Sequence, residues 1–304
     1  MRYLLFTGWL LIISCALLMS QVQVMSISPA HTGNGIVPIH GDHQVLIDIS
    51  AKRLRKLVVM INGTGASAKD NFPFDSFAAA KGYDVISLDY KNTVITTVCS
   101  NSNDSACFNG FRQEIVFGEP VSSPVVEVDS SNSIYYRLYA LLQYLAAQYP
   151  MQGWQRYISK GAIQWRDIIV AGHSQGAGHA AYLGKKFPLY KVLIFAGPQD
   201  FLVHFNTPAE WLSQKSITPA SKYYAFLHLK DPFDFNKQLA GCVRLMQSLT
   251  TDTVLVKPGI AVKTKRHILV TNVDTGNPHG SMLQPAFKSA WAYLLSPNKQ
   301  AAKK

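Results

Sequence analysis

Short apolar stretches alternate with longer helix-like stretches from about residue 45 to the end of the chain. Short apolar runs bounded by turn residues indicate buried strands, whereas apolar residues spaced three or four apart indicate helices. The predicted strands are 45–49, 56–61, 83–89, 167–171, 191–196, 223–229 and 267–273. The predicted helices are 74–81, 133–148, 175–186, 236–249 and 280–295. This alternation predicts an α/β fold, with a mostly parallel central sheet and helices on both faces.

One of the predicted strand-to-helix turns carries a candidate nucleophile. Strand 167–171 leads into Gly172-His173-Ser174-Gln175-Gly176, and the predicted helix follows at once. The two glycines let the strand and the helix approach each other, and so tight a turn strains the serine backbone and lifts its hydroxyl clear of the sheet. Ser174 is therefore the candidate nucleophile, and an idle serine in a glycine-rich turn is the alternative.

These features resemble the α/β-hydrolase superfamily, and more narrowly a group of exported bacterial α/β-hydrolase proteins of unsettled substrate. The resemblance covers most of the chain from about residue 50 onward. It is carried by VVMINGTGAS (58–67), YDVISLDYKN (83–92), IIVAGHSQGAGHAAYLGKKF (168–187), VLIFAGPQD (192–200), FLHLKD (226–231) and NPHGS (277–281). It implies the α/β-hydrolase fold, with Ser174 as nucleophile, His279 as base and Asp231 as acid.

The residues themselves leave more than one candidate for the acid. A serine hydroxyl needs a base to take its proton and an acid to orient that base, and in α/β-hydrolases the acid and then the base follow the serine along the chain. Asp231 lies at the exit of a predicted strand, Asp234 is the second candidate and Asp200 the third. His279 follows a loop beyond the last predicted strand, from which it can reach over the serine.

The loop after strand 56–61 is predicted to complete the site. An oxyanion hole needs two backbone N–H groups, one from the residue after the nucleophile and one from an early strand-to-helix loop. These positions are Gln175 and Thr64, and the glycines on either side of Thr64 allow close backbone approach. The loop lacks the His-Gly-Gly-Gly sequence of many lipases.

The same loop also fits a looser dinucleotide-binding pattern, which is typical of oxidoreductases. Gly63, Gly65 and Ala68 follow a strand, and Asp89 ends the next strand, where an acid would bind a ribose. Against this alternative, the sequence 71–73 contains a proline that interrupts the helix expected to begin at the glycines. The hydrolase is therefore the favoured interpretation.

The N-terminal segment 1–26 has the composition of a secretory signal peptide. Arg2 is its only charged residue, and residues 3–19 are mostly apolar. A retained membrane anchor is the alternative, because the apolar stretch is close to the length that spans a bilayer. Residues 27–304 are predicted to form a single domain, with a cap segment at about 199–222 over the serine. The protein is then periplasmic or secreted.

Export allows disulfide bonds to form. Cys99 and Cys107 bracket a polar loop and are predicted to pair. Cys242 lies in an apolar helix-like stretch and is predicted to be a buried free thiol, while Cys15 falls in the predicted leader.

The net charge of +11 comes from scattered basic residues. The sequence contains no basic helix or alternation of aromatic and basic residues of the kind that indicates nucleic-acid binding. A weak attraction to anionic membrane surfaces is expected. The sequence predicts neither a bound cofactor nor a bound metal. The sequence thus predicts a serine hydrolase acting on small-molecule or lipid esters; an exported binding protein on the same scaffold is the alternative.

Overall fold

The computed structural model describes residues 21–122 and 124–297. In these residues one sheet contains nine strands. They are β1 (Val22–Ile27), β2 (His43–Asp48), β3 (Leu57–Ile61), β4 (Asp84–Leu88), β5 (Ile168–His173), β6 (Lys191–Phe195), β7 (Tyr223–His228), β8 (Thr253–Leu255) and β9 (Ile268–Thr271). The α-helices are α1 (Phe72–Ala80), α2 (Cys107–Phe117), α3 (Ile134–Gln148), α4 (Gln175–Lys186), α5 (Phe235–Met246) and α6 (Lys288–Leu295).

The strands lie in the order β1-β2-β4-β3-β5-β6-β7-β9-β8. Strand β2 is antiparallel to both of its neighbours, and every other neighbouring pair is parallel. A mostly parallel sheet in this order, with its second strand reversed and helices on both faces, is the α/β-hydrolase fold. The predicted fold class is therefore confirmed.

The sheet separates the core into two layers. Because successive side chains of a strand point to opposite faces, Val59 and Ile61 of β3 pack with helices α2 to α5, whereas Val58 and Met60 pack with α1 and α6. Every residue of β3 is buried, as expected for a strand that is covered on both faces. This packing holds the carboxyl ends of the central strands at one fixed edge of the sheet.

Strand β1 lies mostly within the range that the sequence assigns to a leader. It pairs with β2 from Val22 opposite Asp48 to Ile27 opposite His43. Residues 22–26 therefore belong to the sheet, and the folded domain begins before residue 27. The remaining part of the predicted leader, residues 1–20, lies outside the described residues. Within residues 21–122 and 124–297, no helix has the length and apolar character needed to cross a bilayer.

The helix predicted for 280–295 is divided. Two 3₁₀ turns, Ser281–Leu283 and Pro285–Phe287, come before α6. Pro285 has no N–H for a helical hydrogen bond and favours an extended residue before it, and Gln284 has the extended angles φ −87° and ψ 147°.

Cys99 and Cys107 form the predicted disulfide, with their Cα atoms 5.5 Å apart. Cys107 also begins α2, a helix that the sequence analysis does not predict, and the helix ends at Gly118 in the left-handed conformation with φ 66°. Cys242 is a buried free cysteine, as predicted.

The predicted cap segment, residues 199–222, has little regular structure. It contains a hairpin whose strands, Phe201–Leu202 and Thr207–Pro208, have two residues each, and a 3₁₀ turn, Glu210–Ser213. Trp211 and Leu212 in that turn are buried in the main core. Part of the apolar content of this segment is therefore ordinary packing.

Candidate active site

Ser174 lies in the sharp turn between β5 and α4, as the sequence predicts. Its backbone angles, φ 56° and ψ −120°, are strained for a residue with a side chain. A Cβ atom on Gly172 would collide with the carbonyl oxygen of Gly176, and one on Gly176 would collide with that of Ile61. Only glycine fits at these two positions, and this explains the spacing of the motif around the serine.

His279 and Asp231 are hydrogen-bonded to each other. His279 Nδ1 lies 2.8 Å from Asp231 Oδ2, and the other carboxylate oxygen accepts a hydrogen bond of 2.8 Å from the Phe233 N–H. Burial opposes ionisation of Asp231, but the hydrogen bond and charge of His279, together with the Phe233 N–H, hold the pKa of Asp231 below its usual value. An ionised Asp231 makes Nδ1 the proton-bearing nitrogen of a neutral His279 and leaves Nε2 as the basic one.

The imidazole of His279 lies beside the serine turn. Its ring centre is 4.9 Å from that of His173, the residue before the serine, and 4.6 Å from that of Phe233. His279 Nε2 is buried and has no hydrogen-bond partner in the described part of the chain. In particular, no hydrogen bond joins it to Ser174 Oγ within those residues; such contacts are often long before substrate binds and shorten in the complex.

His173 fixes the position of the loop that carries the base. Its Nε2 lies 2.9 Å from the carbonyl oxygen of His279. Burial and the nearby charge of His279 lower the pKa of His173 to about 4. His173 is therefore neutral at pH 7 and donates this hydrogen bond from Nε2.

The two other predicted acids have different partners. Asp234 caps α5, where its side chain accepts a hydrogen bond of 3.0 Å from the Asn236 N–H. Asp200 forms a fully buried ion pair with Arg112. Of the three predicted acids, Asp231 is the one that contacts a histidine among the described residues.

Thr64 and Gln175 meet beside the serine. The Thr64 hydroxyl donates a hydrogen bond of 2.6 Å to the side-chain oxygen of Gln175, and a Cβ on Gly63 would lie 3.1 Å from Ser174 Cβ. Asn92 donates a hydrogen bond of 2.6 Å to the Gly63 carbonyl and so holds the loop. Within the described residues, no other group accepts a hydrogen bond from the backbone N–H of Thr64 or Gln175, as the donors of an oxyanion hole require.

Sequence reasoning missed Gln199. Its side-chain amide is buried, and Nε2 donates a hydrogen bond of 3.2 Å to Ser174 Oγ. Gln199 follows β6 in Gly197-Pro198-Gln199, and no signal in that sequence distinguishes it from any other polar loop residue. Its contact with the nucleophile depends wholly on the packing of two neighbouring strands.

Arg112 was also missed. Its guanidinium is fully buried, pairs with Asp200 and donates a hydrogen bond of 2.9 Å to the carbonyl of Gln175. A Cβ on Gly178 would collide with the guanidinium, so this glycine makes room for the charge beneath the start of α4. Arg112 thus holds the serine turn in place through its contact with the first residue of α4.

The contacts of Asp89 weigh against the dinucleotide-binding alternative. Its carboxylate accepts hydrogen bonds from the N–H groups of Ile39 at 2.9 Å and His40 at 2.8 Å, and it pairs with Arg137. Helix α1 begins at Phe72 rather than at the glycines of the loop. The described residues also contain no group of His, Cys, Asp and Glu side chains that could hold a metal ion.

Comparison with known proteins gives remote structural similarity. No protein family model matches the chain, and no curated protein sequence matches it. Among solved structures, a bacterial heroin esterase is similar, with 14% sequence identity over 91% of this chain and 83% of that chain, and a TM-score of 0.45. The chemistry of this chain must therefore be inferred from its own site.

Proposed function

We propose that the protein is a serine hydrolase that cleaves carboxylic esters, with Ser174 as nucleophile, His279 as general base and Asp231 as the acid that orients it. The supporting observation is the hydrogen bond from His279 Nδ1 to Asp231, which leaves Nε2 buried, without a partner in the described residues and next to the serine turn. A protein that only binds a ligand on this scaffold has no need of a strained serine beside an oriented imidazole.

The first half of the proposed reaction forms an acyl-enzyme. Ser174 Oγ attacks the acyl carbon of the ester while His279 Nε2 takes the hydroxyl proton. Asp231 stays ionised and stabilises the imidazolium that results. His279 then gives the proton to the leaving alcohol as the bond from the acyl carbon to the alcohol oxygen breaks.

The second half releases the acid. A water molecule attacks the acyl carbon while His279 Nε2 takes one of its protons, and that proton returns to Ser174 Oγ as the acyl bond breaks. In both halves the negative oxygen of the tetrahedral intermediate accepts hydrogen bonds from the N–H groups of Gln175 and Thr64. Loss of one such donor typically costs about 3 kcal/mol of transition-state stabilisation.

The disulfide supports an exported location for this hydrolase. Structural disulfides persist in oxidising compartments such as the periplasm or the outside of the cell and are rare in the cytosol. The Cys99–Cys107 bond therefore agrees with the signal peptide that the sequence predicts. Trapping of free thiols in freshly lysed cells tests this: an exported protein has these two cysteines protected, whereas a cytosolic one has them labelled.

Turnover of p-nitrophenyl esters tests the proposed reaction. We expect the wild-type protein to hydrolyse short esters. The Ser174→Ala variant should have a kcat that is lower by at least about a thousandfold, while its melting curve stays the same. Ser122→Ala, a matched change at an exposed serine, should leave turnover unchanged. If a folded wild-type protein hydrolyses no ester, thioester or peptide in a broad panel, the hydrolase proposal is wrong and a binding function is favoured.

A further inference from the structure

A cleft of about 190 Å³ is lined by two residues that contact the proposed catalytic side chains. Gln199 forms part of its lining and also donates to Ser174 Oγ, while Phe233 lines it and also packs against the His279 ring. Because these two residues contact the nucleophile and the base, the cleft is placed to hold a group attached to the reacting ester. The two halves of the reaction described above make no use of it.

Six of the ten residues that line the cleft have polar side chains, namely Thr97, Ser100, Asn101, Gln199, Asp234 and Lys237. The other four are apolar, and Phe233 is one of them. A site for a long hydrocarbon chain is lined predominantly by apolar side chains, with few polar groups. Polar groups that face hydrocarbon lose their hydrogen bonds to water, which is unfavourable when no other partner replaces the water. The lining therefore favours a polar substituent over an alkyl chain.

Gln199 offers a specific acceptor. The residue is 5% exposed, and its Nε2 is engaged with Ser174. Its Oε1 accepts no hydrogen bond from any residue that the structure describes. A carboxamide oxygen accepts hydrogen bonds and cannot donate them, so the complementary group is a donor such as a hydroxyl.

The wall of the cleft is fixed, which limits the size of the group. Ser100 and Asn101 lie inside the loop closed by the Cys99–Cys107 disulfide, and the Ser100 carbonyl accepts a hydrogen bond of 2.8 Å from the Val203 N–H. The cleft's volume of about 190 Å³ is below the roughly 300–1,000 Å³ of pockets that hold drug-sized ligands, so the cleft suits a small substituent.

We propose that this cleft selects esters in which one half, the acyl group or the alcohol, is short and carries a hydroxyl, and that Gln199 Oε1 accepts the hydrogen bond from that hydroxyl. The inference rests on the proposed ester hydrolysis and adds the class of substrate to it.

Two series of esters test the proposal on the wild-type protein. The acyl series compares p-nitrophenyl butyrate, 3-hydroxybutyrate and octanoate, and the alcohol series compares ethyl acetate with glycerol monoacetate by proton release. We expect kcat/KM for the octanoate to be at least tenfold below that for the butyrate. We also expect the hydroxylated ester to be favoured about tenfold in one of the two series, which then identifies the half of the ester that occupies the cleft.

Gln199→Met tests the assigned acceptor, because methionine keeps the length of the side chain without its carbonyl oxygen. We expect the ratio of kcat/KM between the hydroxylated and the plain ester to fall to about one. The absolute rates will also fall because Gln199 contacts Ser174, so the ratio is the measurement that counts. Gln143→Met, the same change at an exposed position of α3, should keep the wild-type ratio.

The possible results separate this proposal from the one on which it rests. Faster turnover of the octanoate than of the butyrate, or equal turnover of hydroxylated and plain esters in both series, would overturn the assignment of the cleft while ester hydrolysis stands. An unchanged ratio in Gln199→Met would overturn the role of Gln199. No turnover of any ester by the folded wild-type protein would overturn both proposals.

Discussion

His279 Nδ1 and Asp231 Oδ2 lie 2.8 Å apart although 48 residues separate them in the sequence. The sheet topology brings them together, because β7 and β9 are parallel neighbours and their carboxyl ends carry the two loops. His228, at the end of β7, strengthens this link: its Nε2 lies 2.9 Å from the Val273 carbonyl and its Nδ1 accepts a hydrogen bond from the Lys230 N–H. The acid and the base are therefore positioned by the sheet.

Asp231→Asn should reduce kcat/KM by about four orders of magnitude, because an amide can no longer stabilise the imidazolium and favours the wrong tautomer of His279. Asp167→Asn is the matched control, at an exposed aspartate that precedes the amino end of β5. A surface ion pair contributes little, so this variant should stay within threefold of wild type in activity and stability. Equal losses of ester turnover in the two variants would remove Asp231 from its proposed role.

Reduction of the Cys99–Cys107 disulfide should lower the free energy of unfolding by about 2–3 kcal/mol, the value expected for a loop of this length. KM should rise as well, since Ser100 and Asn101 in the closed loop line the cleft. Urea unfolding and ester kinetics with and without dithiothreitol measure both effects. A variant with both cysteines changed to serine should behave like the reduced protein and be insensitive to the reagent; a wild-type protein unaffected by reduction would contradict this prediction.

Arg112 and Asp200 should stabilise the fold only as a pair, because either buried charge is unfavourable without the other. Arg112→Met leaves the Asp200 carboxylate buried without its counter-charge, and we expect a loss of about 3–5 kcal/mol in the free energy of unfolding. Arg112→Met combined with Asp200→Asn should recover part of that loss. A double-mutant cycle from urea unfolding measures the coupling, and strictly additive losses would show that the two side chains do not interact.

His43 should make the fold sensitive to acid. Burial, with a smaller effect from the charge of Arg137, lowers the pKa of His43 to about 3, so an ordinary unfolded histidine binds a proton between pH 6.5 and 3 while the folded one does not. The stability contributed by neutral His43 is full above pH 6.5 and falls as the pH drops. Between pH 7 and pH 5 this contribution decreases by about 2 kcal/mol.

His43→Asn isolates this effect, since the asparagine oxygen can accept the hydrogen bond of 3.0 Å that Nδ1 receives from the Asp89 N–H. Urea unfolding at pH 7 and pH 5 measures how far the free energy of unfolding decreases between the two. This decrease should be smaller by about 2 kcal/mol in the variant than in wild type. Identical drops in the two proteins would mean that His43 is protonated in the fold.

The central strands and the serine turn could be predicted from the sequence because their signals are local. Strands such as Leu57–Ile61 are buried on both faces and read as continuous apolar runs. Gly172 and Gly176 are required by close backbone contacts, so the position of Ser174 follows from spacing alone.

The elements that were missed lack such signals. Strand β1 directly follows an apolar segment with the composition of a leader, which conceals its alternation, and β8 has only three residues. Helix α2 contains a glycine and four polar side chains among its eleven residues. The role of Gln199 depends on contacts between distant segments, which no local pattern records.

Mass spectrometry after treatment with a fluorophosphonate tests the central claim most directly, because the reagent forms a stable adduct only with a serine activated by a neighbouring base. We expect one adduct per wild-type molecule, located on Ser174, with no adduct on Ser174→Ala and much slower labelling of Asp231→Asn. A folded wild-type protein that stays unmodified, or one that is labelled at another residue, would contradict the assignment of Ser174, His279 and Asp231 as the catalytic group.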